Sequence, residues 1–139
     1  MEAIVYYSLT GNTKKAAEII EGGLKQKNIP FEIIRIREKK KRGFLINAIN
    51  ALFKIRVEID ETALDLNRFD KIYFGSPVWA GSPAPAMNTF LQVCAGLRGK
   101  EVSIFVTYGS GLGKKRALKI MQNLIRKKGA KVIQNLSVQ

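Results

Sequence analysis

A chain of 139 residues with one cysteine, Cys94, and no histidine has room for one domain with an ordinary core. It cannot hold a Cys-ligated iron–sulfur cluster, a His/Cys zinc site, a His-ligated haem or a histidine-based triad, so a redox role would rest on an organic cofactor. Its 24 Lys and Arg against 11 Asp and Glu, net +13, favour acidic proteins, anionic small molecules, nucleic acid or anionic lipid as partners and say nothing about fold.

No stretch approaches the roughly 20 consecutive apolar residues of a spanning helix. No basic region precedes the opening apolar run either, which makes the cytoplasm the expected location. Ala3 to Ser8 reads as a central parallel strand buried on both faces. From Lys14 a helical stripe of Ala16, Ile20, Gly23 and Leu24 runs to near Asn28, with Pro30 beyond as a stop. Phe31 to Arg37 is a second strand, polar enough for an edge, and Glu38 to Gly43 a basic loop. Residues 44–56 predict an amphipathic helix with Leu45, Ala48, Ile49 and Leu52 on one face. The stretch from Glu58 to Asn67 is acidic and irregular; Glu58, Asp60, Glu61 and Asp65 read as solvated surface, and no metal site is expected.

Lys71 to Ser76 is the third strand. Ser82-Pro83 has the pattern of an N-cap followed by proline at the first helical position, and Met87, Phe90, Leu91 and Cys94 mark one face of the helix beyond. An inert core thiol is the default for Cys94. Val102 to Thr107 is the fourth strand. Ala117, Ile120, Met121 and Leu124 mark the next helix, closed by Lys127, Lys128 and Gly129. Lys131 to Val138 is a fifth strand, whose alternation puts Val132, Leu136 and Val138 on one face. This repetition implies one α/β domain over residues 1–139, a doubly wound five-stranded parallel sheet with right-handed crossovers. Ligands then bind beyond the carboxyl ends of the strands, in the loops after strands one, three and four.

The first loop, Ser8-Leu9-Thr10-Gly11-Asn12-Thr13, joins a strand to a helix N-terminus through a glycine turn. Backbone N–H groups, the helix dipole, hydroxyls and an amide make that an anion site suited to a phosphomonoester. The plainer reading is a polar turn with Thr13 as helix cap. The second loop runs through Pro77, Val78, Trp79, Ala80 and Gly81. Its tryptophan, just past a buried strand, suits the face of a flat aromatic ligand, or alternatively a cap on the core. The third loop is Thr107-Tyr108-Gly109-Ser110-Gly111-Leu112-Gly113, followed by Lys114-Lys115-Arg116. It matches neither the spacing of a Walker A loop nor that of a dinucleotide fingerprint.

Tyr-Ser-x-Thr-Gly-Asn-Thr at Tyr7 to Thr13, and the segment from Gly75 to Ala86, resemble the first two flavin loops of the flavodoxin-like family. The resemblance covers nearly the whole chain in element order. It implies strand order 2-1-3-4-5, FMN as cofactor and electron transfer as the activity. It further implies phosphate binding by Ser8, Thr10, Gly11, Asn12 and Thr13, and a ring lined by Pro77 to Gly81. Thr107, Tyr108, Gly109 and Gly111 would close the other side, with Tyr108 as the second aromatic wall. No residue is offered as a catalytic acid or base at the ring. The chain departs from long-established flavodoxins in being strongly basic and in lacking their last helix. Three functions compete: an electron carrier, an FMN-dependent NAD(P)H oxidoreductase acting on quinone-like acceptors, and a basic binding module without flavin.

Lys14, Lys15, Arg37, Lys39 to Arg42 and Lys114 to Arg116 fall at the flavin edge of such a fold. They would attract a redox partner protein with an acidic docking surface and favour the anionic reduced flavin, unless they are simply a solvated basic surface. No nucleic-acid motif is present, so no nucleic-acid partner is expected. Membrane contact is not expected, and a homodimer would cover an apolar patch left by the missing helix.

Overall fold

The computed structural model describes residues 1–37 and 64–139. The basic loop at 38–43, the helix expected over 44–56 and the acidic residues Glu58, Asp60 and Glu61 lie outside the described residues. In chain order the elements are β1 (Glu2–Tyr6), α1 (Asn12–Gln26), β2 (Phe31–Arg35), β3 (Lys71–Trp79), β4 (Ser82–Pro83), α2 (Pro85–Val93), β5 (Glu101–Thr107), α3 (Lys114–Lys127) and β6 (Lys131–Val138).

The sheet order is β2-β1-β3-β5-β6, with β4 paired to the end of β3. All pairs along this path are parallel, and only β4 runs antiparallel to its neighbour. This is the expected order, renumbered by one additional short strand. The chain goes from β1 to β2 on one side and then crosses back to β3 on the other, so the crevice of a doubly wound sheet opens between the carboxyl ends of β1 and β3.

Alternation along the strands divides the core into two. Ala3, Val5, Ile72, Phe74, Val102, Ile104 and Val106 face α2 and α3, where they pack with Met87, Phe90, Leu91, Met121 and Ile125. Ile4, Tyr6 and Phe105 face α1 and meet Ala16, Ala17 and Leu24. Small residues on α1 let it lie close to the sheet. One contact there is unusually tight: Gly75 is paired with Phe105, and a Cβ on Gly75 would sit 2.0 Å from the Phe105 ring. The ring therefore fills the space of the missing side chain.

Two expectations are corrected. Ser82 and Pro83 do not cap the following helix; they fold back as β4, with Trp79 opposite Ser82 and Val78 opposite Pro83. Proline is tolerated there because a short edge strand requires no further ladder donor. The helix starts two residues later, with Ala84 as N-cap and Pro85 in its first turn. The buried Ser76 hydroxyl accepts the Ala84 N–H at 2.9 Å. The second correction concerns β6. Its pairing with β5 slips between Val102 and Ser103, so Val132 pairs with Val102 but Gln134 with Ser103. The extra residue, Ile133, reverses the facing of everything after it. Val132 packs on the α2/α3 side, whereas Leu136 and Val138 are partners of Phe105 and Thr107 and stand on the α1 side. The three do not share a face.

Candidate functional site

A cavity of about 730 Å³ opens at the carboxyl edge of the sheet, and all three expected loops reach it. Thr10 and Asn12 line it from the first loop, Pro77, Val78 and Trp79 from the second, and Thr107, Tyr108 and Gly109 from the third.

The first loop is built by its hydroxyls turning inward. Ser8 is buried, and its Oγ accepts the backbone N–H groups of Gly11 at 3.1 Å and Lys14 at 3.3 Å. Arg35 on the edge strand donates to the Ser8 carbonyl at 3.1 Å. Thr13 is also buried; its hydroxyl and that of Thr107 share a hydrogen bond of 2.7 Å, which ties α1 to the end of β5. Thr13 is thus a strut between elements, not the helix cap. The cap position is Gly11 at φ 99, a left-handed conformation that glycine adopts without strain; it has no side chain to offer, and the Ser8 hydroxyl takes the first-turn N–H of Lys14 instead. Thr10 and Asn12 are left to face the cavity, beside an α1 N-terminus whose dipole favours an anion.

In the second loop, Trp79 is at once a cap on the core and a piece of the cavity wall. It belongs to the buried cluster over α2 and α3, meets Tyr7 edge-on at 5.9 Å, and still forms part of the cavity wall. Ala80 and Gly81 complete the two-residue turn into β4, at φ 50 and 73. Both lie off the cavity lining, as do Ser8, Gly11, Thr13 and Gly111. In the third loop Tyr108 donates its backbone N–H to the Val138 carbonyl at 3.1 Å. Its ring lies under the Lys114 ammonium at 4.5 Å, and Lys114 Nζ donates to its hydroxyl at 3.4 Å. Gln139 holds the Gly109 carbonyl at 3.2 Å. Gly111, at φ 80, sits against the same Tyr108 ring, 3.5 Å from where its Cβ would be.

Four lining residues were not anticipated from the sequence, Ala16 and Ile19 from α1 and Val138 and Gln139 at the end of β6, and Lys15, expected at the flavin edge, lines the cavity as well. The i, i+4 spacing of Lys15 and Ile19 places both on one flank of α1. Parallel pairing carries Val138 alongside Thr107. Among the described residues no acidic side chain lines the cavity. Its donors suit a phosphate at one end, and its two aromatics and Val78 suit a flat ring system at the other. The Cys94 thiol is elsewhere, buried under α2 and pushed up to about 11 by burial, with Lys128 opposing the shift. Cys94 closes α2 as its C-cap, and a buried thiol held in the neutral form is a poor nucleophile. No group of three or more His, Cys, Asp or Glu that could hold a metal ion occurs among the described residues, and none of the described helices is long and apolar enough to cross a membrane.

A doubly wound parallel sheet with a phosphate-type loop at its switch point and aromatic residues on the two neighbouring loops defines a flavodoxin-like domain. Comparison with known proteins places it more narrowly. The chain belongs to the family described as NADPH-dependent FMN reductase, whose model matches residues 4–139. Among solved structures it is similar to a flavoprotein in complex with FMN from Lactobacillus acidophilus NCFM. The two are 27% identical, over 98% of this chain and 91% of that one, with a TM-score of 0.77. The two-electron reduced flavodoxin of Megasphaera elsdenii is 26% identical, over 99% of this chain and 85% of that one, with a TM-score of 0.68. An archaeal flavodoxin, 22% identical over 100% of this chain and 85% of that one, shares the fold at a TM-score of 0.66. No curated protein matches the chain. FMN, the cofactor read from the loops, is the flavin named both in the family description and for the Lactobacillus structure.

Proposed function

We propose that this protein binds FMN non-covalently in the cavity between its three loops and serves as a carrier of electrons. The convergence of the three loops on one cavity carries this reading: an α1 N-terminus with Thr10, Asn12 and Lys15 at one end, and Trp79 and Tyr108 at the other. The first group would hold the phosphate through backbone N–H groups, one hydroxyl, one amide and one ammonium. Trp79 and Tyr108 would bound the ring and exclude water from it, while Ser8, Arg35 and the Thr13–Thr107 pair keep the loop in shape. The flavin would supply the hydride and single-electron chemistry, and the lining among the described residues holds no carboxylate or thiol. Lys14, Lys15, Lys114, Lys115 and Arg116 cluster at the starts of α1 and α3. That charge suits a redox partner with an acidic docking surface.

A second reading is an FMN-dependent NAD(P)H oxidoreductase acting on quinone-like acceptors; the family match supports its NADPH and FMN parts and does not bear on the acceptor. Two measurements separate the readings. FMN added to the purified protein should give a flavin spectrum that stays with the protein through gel filtration, and T10L/N12L should abolish that retention. A protein that stays colourless ends both readings in favour of a basic module without flavin. Given a yellow protein, anaerobic NADPH alone should leave a carrier oxidised, whereas rapid bleaching assigns it to the oxidoreductases.

A further inference from the structure

We propose that Arg116 is a positioning residue for the cavity, a strut that fixes the gap between its two aromatic walls. The inference rests on the flavin reading only for the identity of the ligand.

The turn that carries Trp79 is under strain. Its two central residues are Ala80 and Gly81, at φ 50 and φ 73. A two-residue hairpin of this kind requires positive φ at both positions, which Asn or Gly supplies readily and alanine does not. Trp79 itself pairs with Ser82 across the turn, so the geometry at Ala80–Gly81 sets where the indole sits. Such a turn persists when something outside it holds it.

Two contacts from α3 do so. Gly113, the N-cap of α3 at φ 80, lies so close to the turn that a Cβ on it would be 2.4 Å from Gly81 Cα. Three residues on, Arg116 reaches over the same spot and donates from Nη1 to the Gly81 carbonyl at 3.0 Å. Its guanidinium forms no ion pair among the described residues. The chain segment that presents Gly113 is also the segment that presents Tyr108, whose ring packs against Gly111 and under Lys114. Gly81, Gly113 and Arg116 are thus the place where the Trp79 loop and the Tyr108 loop are tied together. None of the three lines the cavity. Arg116 acts at one remove, by fixing one wall relative to the other.

R116A, R116K and the unaltered protein decide this. In the apoprotein, the fluorescence of Trp79, the one tryptophan, should shift to the red and become more accessible to acrylamide in R116A. The FMN dissociation constant should rise roughly three- to tenfold, the loss of one partly screened charge-assisted hydrogen bond. R116K keeps a donor without the planar fork and should fall between the two. The melting temperature should change little, because Arg116 is exposed. Unchanged Trp79 emission and quenching in R116A overturn the proposal. A large fall in melting temperature with no selective change at Trp79 overturns it as well, by assigning Arg116 to general stability. Failure of the unaltered protein to bind FMN would sink the flavin reading alone, since the apoprotein fluorescence still judges the strut.

Discussion

The two faces of the sheet are built to different standards. The face under α2 and α3 is packed with large side chains, including Phe69, Phe74, Phe90, Leu91 and Ile104, each almost wholly buried. Among the described residues the face under α1 is thinner. Its buried part is Ile4, Tyr6 and Phe105 against two alanines and Leu24, with Ile20, Ile29, Phe31 and Tyr73 partly buried around it, and beyond α1 it leaves Ile19 73%, Val138 39% and Leu136 38% exposed. Stability and binding are thereby divided. Apolar burial, the main favourable term in folding, is concentrated on the thick face. The thin face keeps the room in which α1 and β6 flank a cavity. A pocket needs surfaces that are not filled, and this chain keeps them on the side that contributes least to the core.

That division can be broken or sharpened by mutation. The largest effect belongs to the thick face. Phe90→Ala, which removes a ring packed 6.2 Å from that of Phe74, should cost about 3–5 kcal/mol by chemical denaturation. A loss below 1 kcal/mol would mean that this face is not the stabilising one. Next comes a tight place on the thin face. Gly75→Ala forces a methyl into the Phe105 ring and should cost about 1–3 kcal/mol, so the thin face is sparse but not loose. Third is the buried hydroxyl pair. Thr13→Val leaves the Thr107 hydroxyl unpaired and should cost about 1–2 kcal/mol, much of it recovered in T13V/T107V. Without that recovery the pair is not what joins α1 to β5. Smaller still, Ile19→Ser should leave stability within about 0.5 kcal/mol, because the side chain gains little from its surroundings in the folded state.

Last is a reaction that hardly proceeds. The Cys94 thiol, pushed up to about 11 by burial, holds almost no thiolate at pH 8. Iodoacetamide should therefore leave the native protein unmodified by mass spectrometry, with labelling rising only as pH approaches 11. Fast labelling at pH 8 would show that the thick face opens.

The strand and helix alternation was legible from the chain because each element carries its own signal. Continuous apolar runs marked the buried strands, and three-to-four spacing marked α1, α2 and α3. What escaped was set by contacts between elements. Ser82-Pro83 has the local chemistry of a cap, and only the position of Trp79 and Val78 across the turn makes it a strand. The slip at Ile133 is invisible in a run of alternating residues, because it depends on how β5 lies beside it. The site was legible to the same degree. Thr10, Asn12, Trp79 and Tyr108 reach the cavity as anticipated. The turning inward of Ser8 and Thr13 follows from partners 3 to 94 residues away, and the α1 and β6 walls follow from sheet order.

The slip in β6 also changes what kind of alteration the last strand can absorb. Seven of its eight residues are exposed and the eighth, Val132, is half-buried, so side-chain identity there is loosely constrained. Residue number is not. Deleting Ile133 would only remove the slip and leave Leu136 and Val138 opposite Phe105 and Thr107, but deleting Asn135 from the regular stretch would swing Leu136, Val138 and Gln139 half a turn about the strand axis. The tail would withdraw from Gly109 and the mouth of the cavity, so in this segment the spacing of the chain is a stricter instruction than its letters.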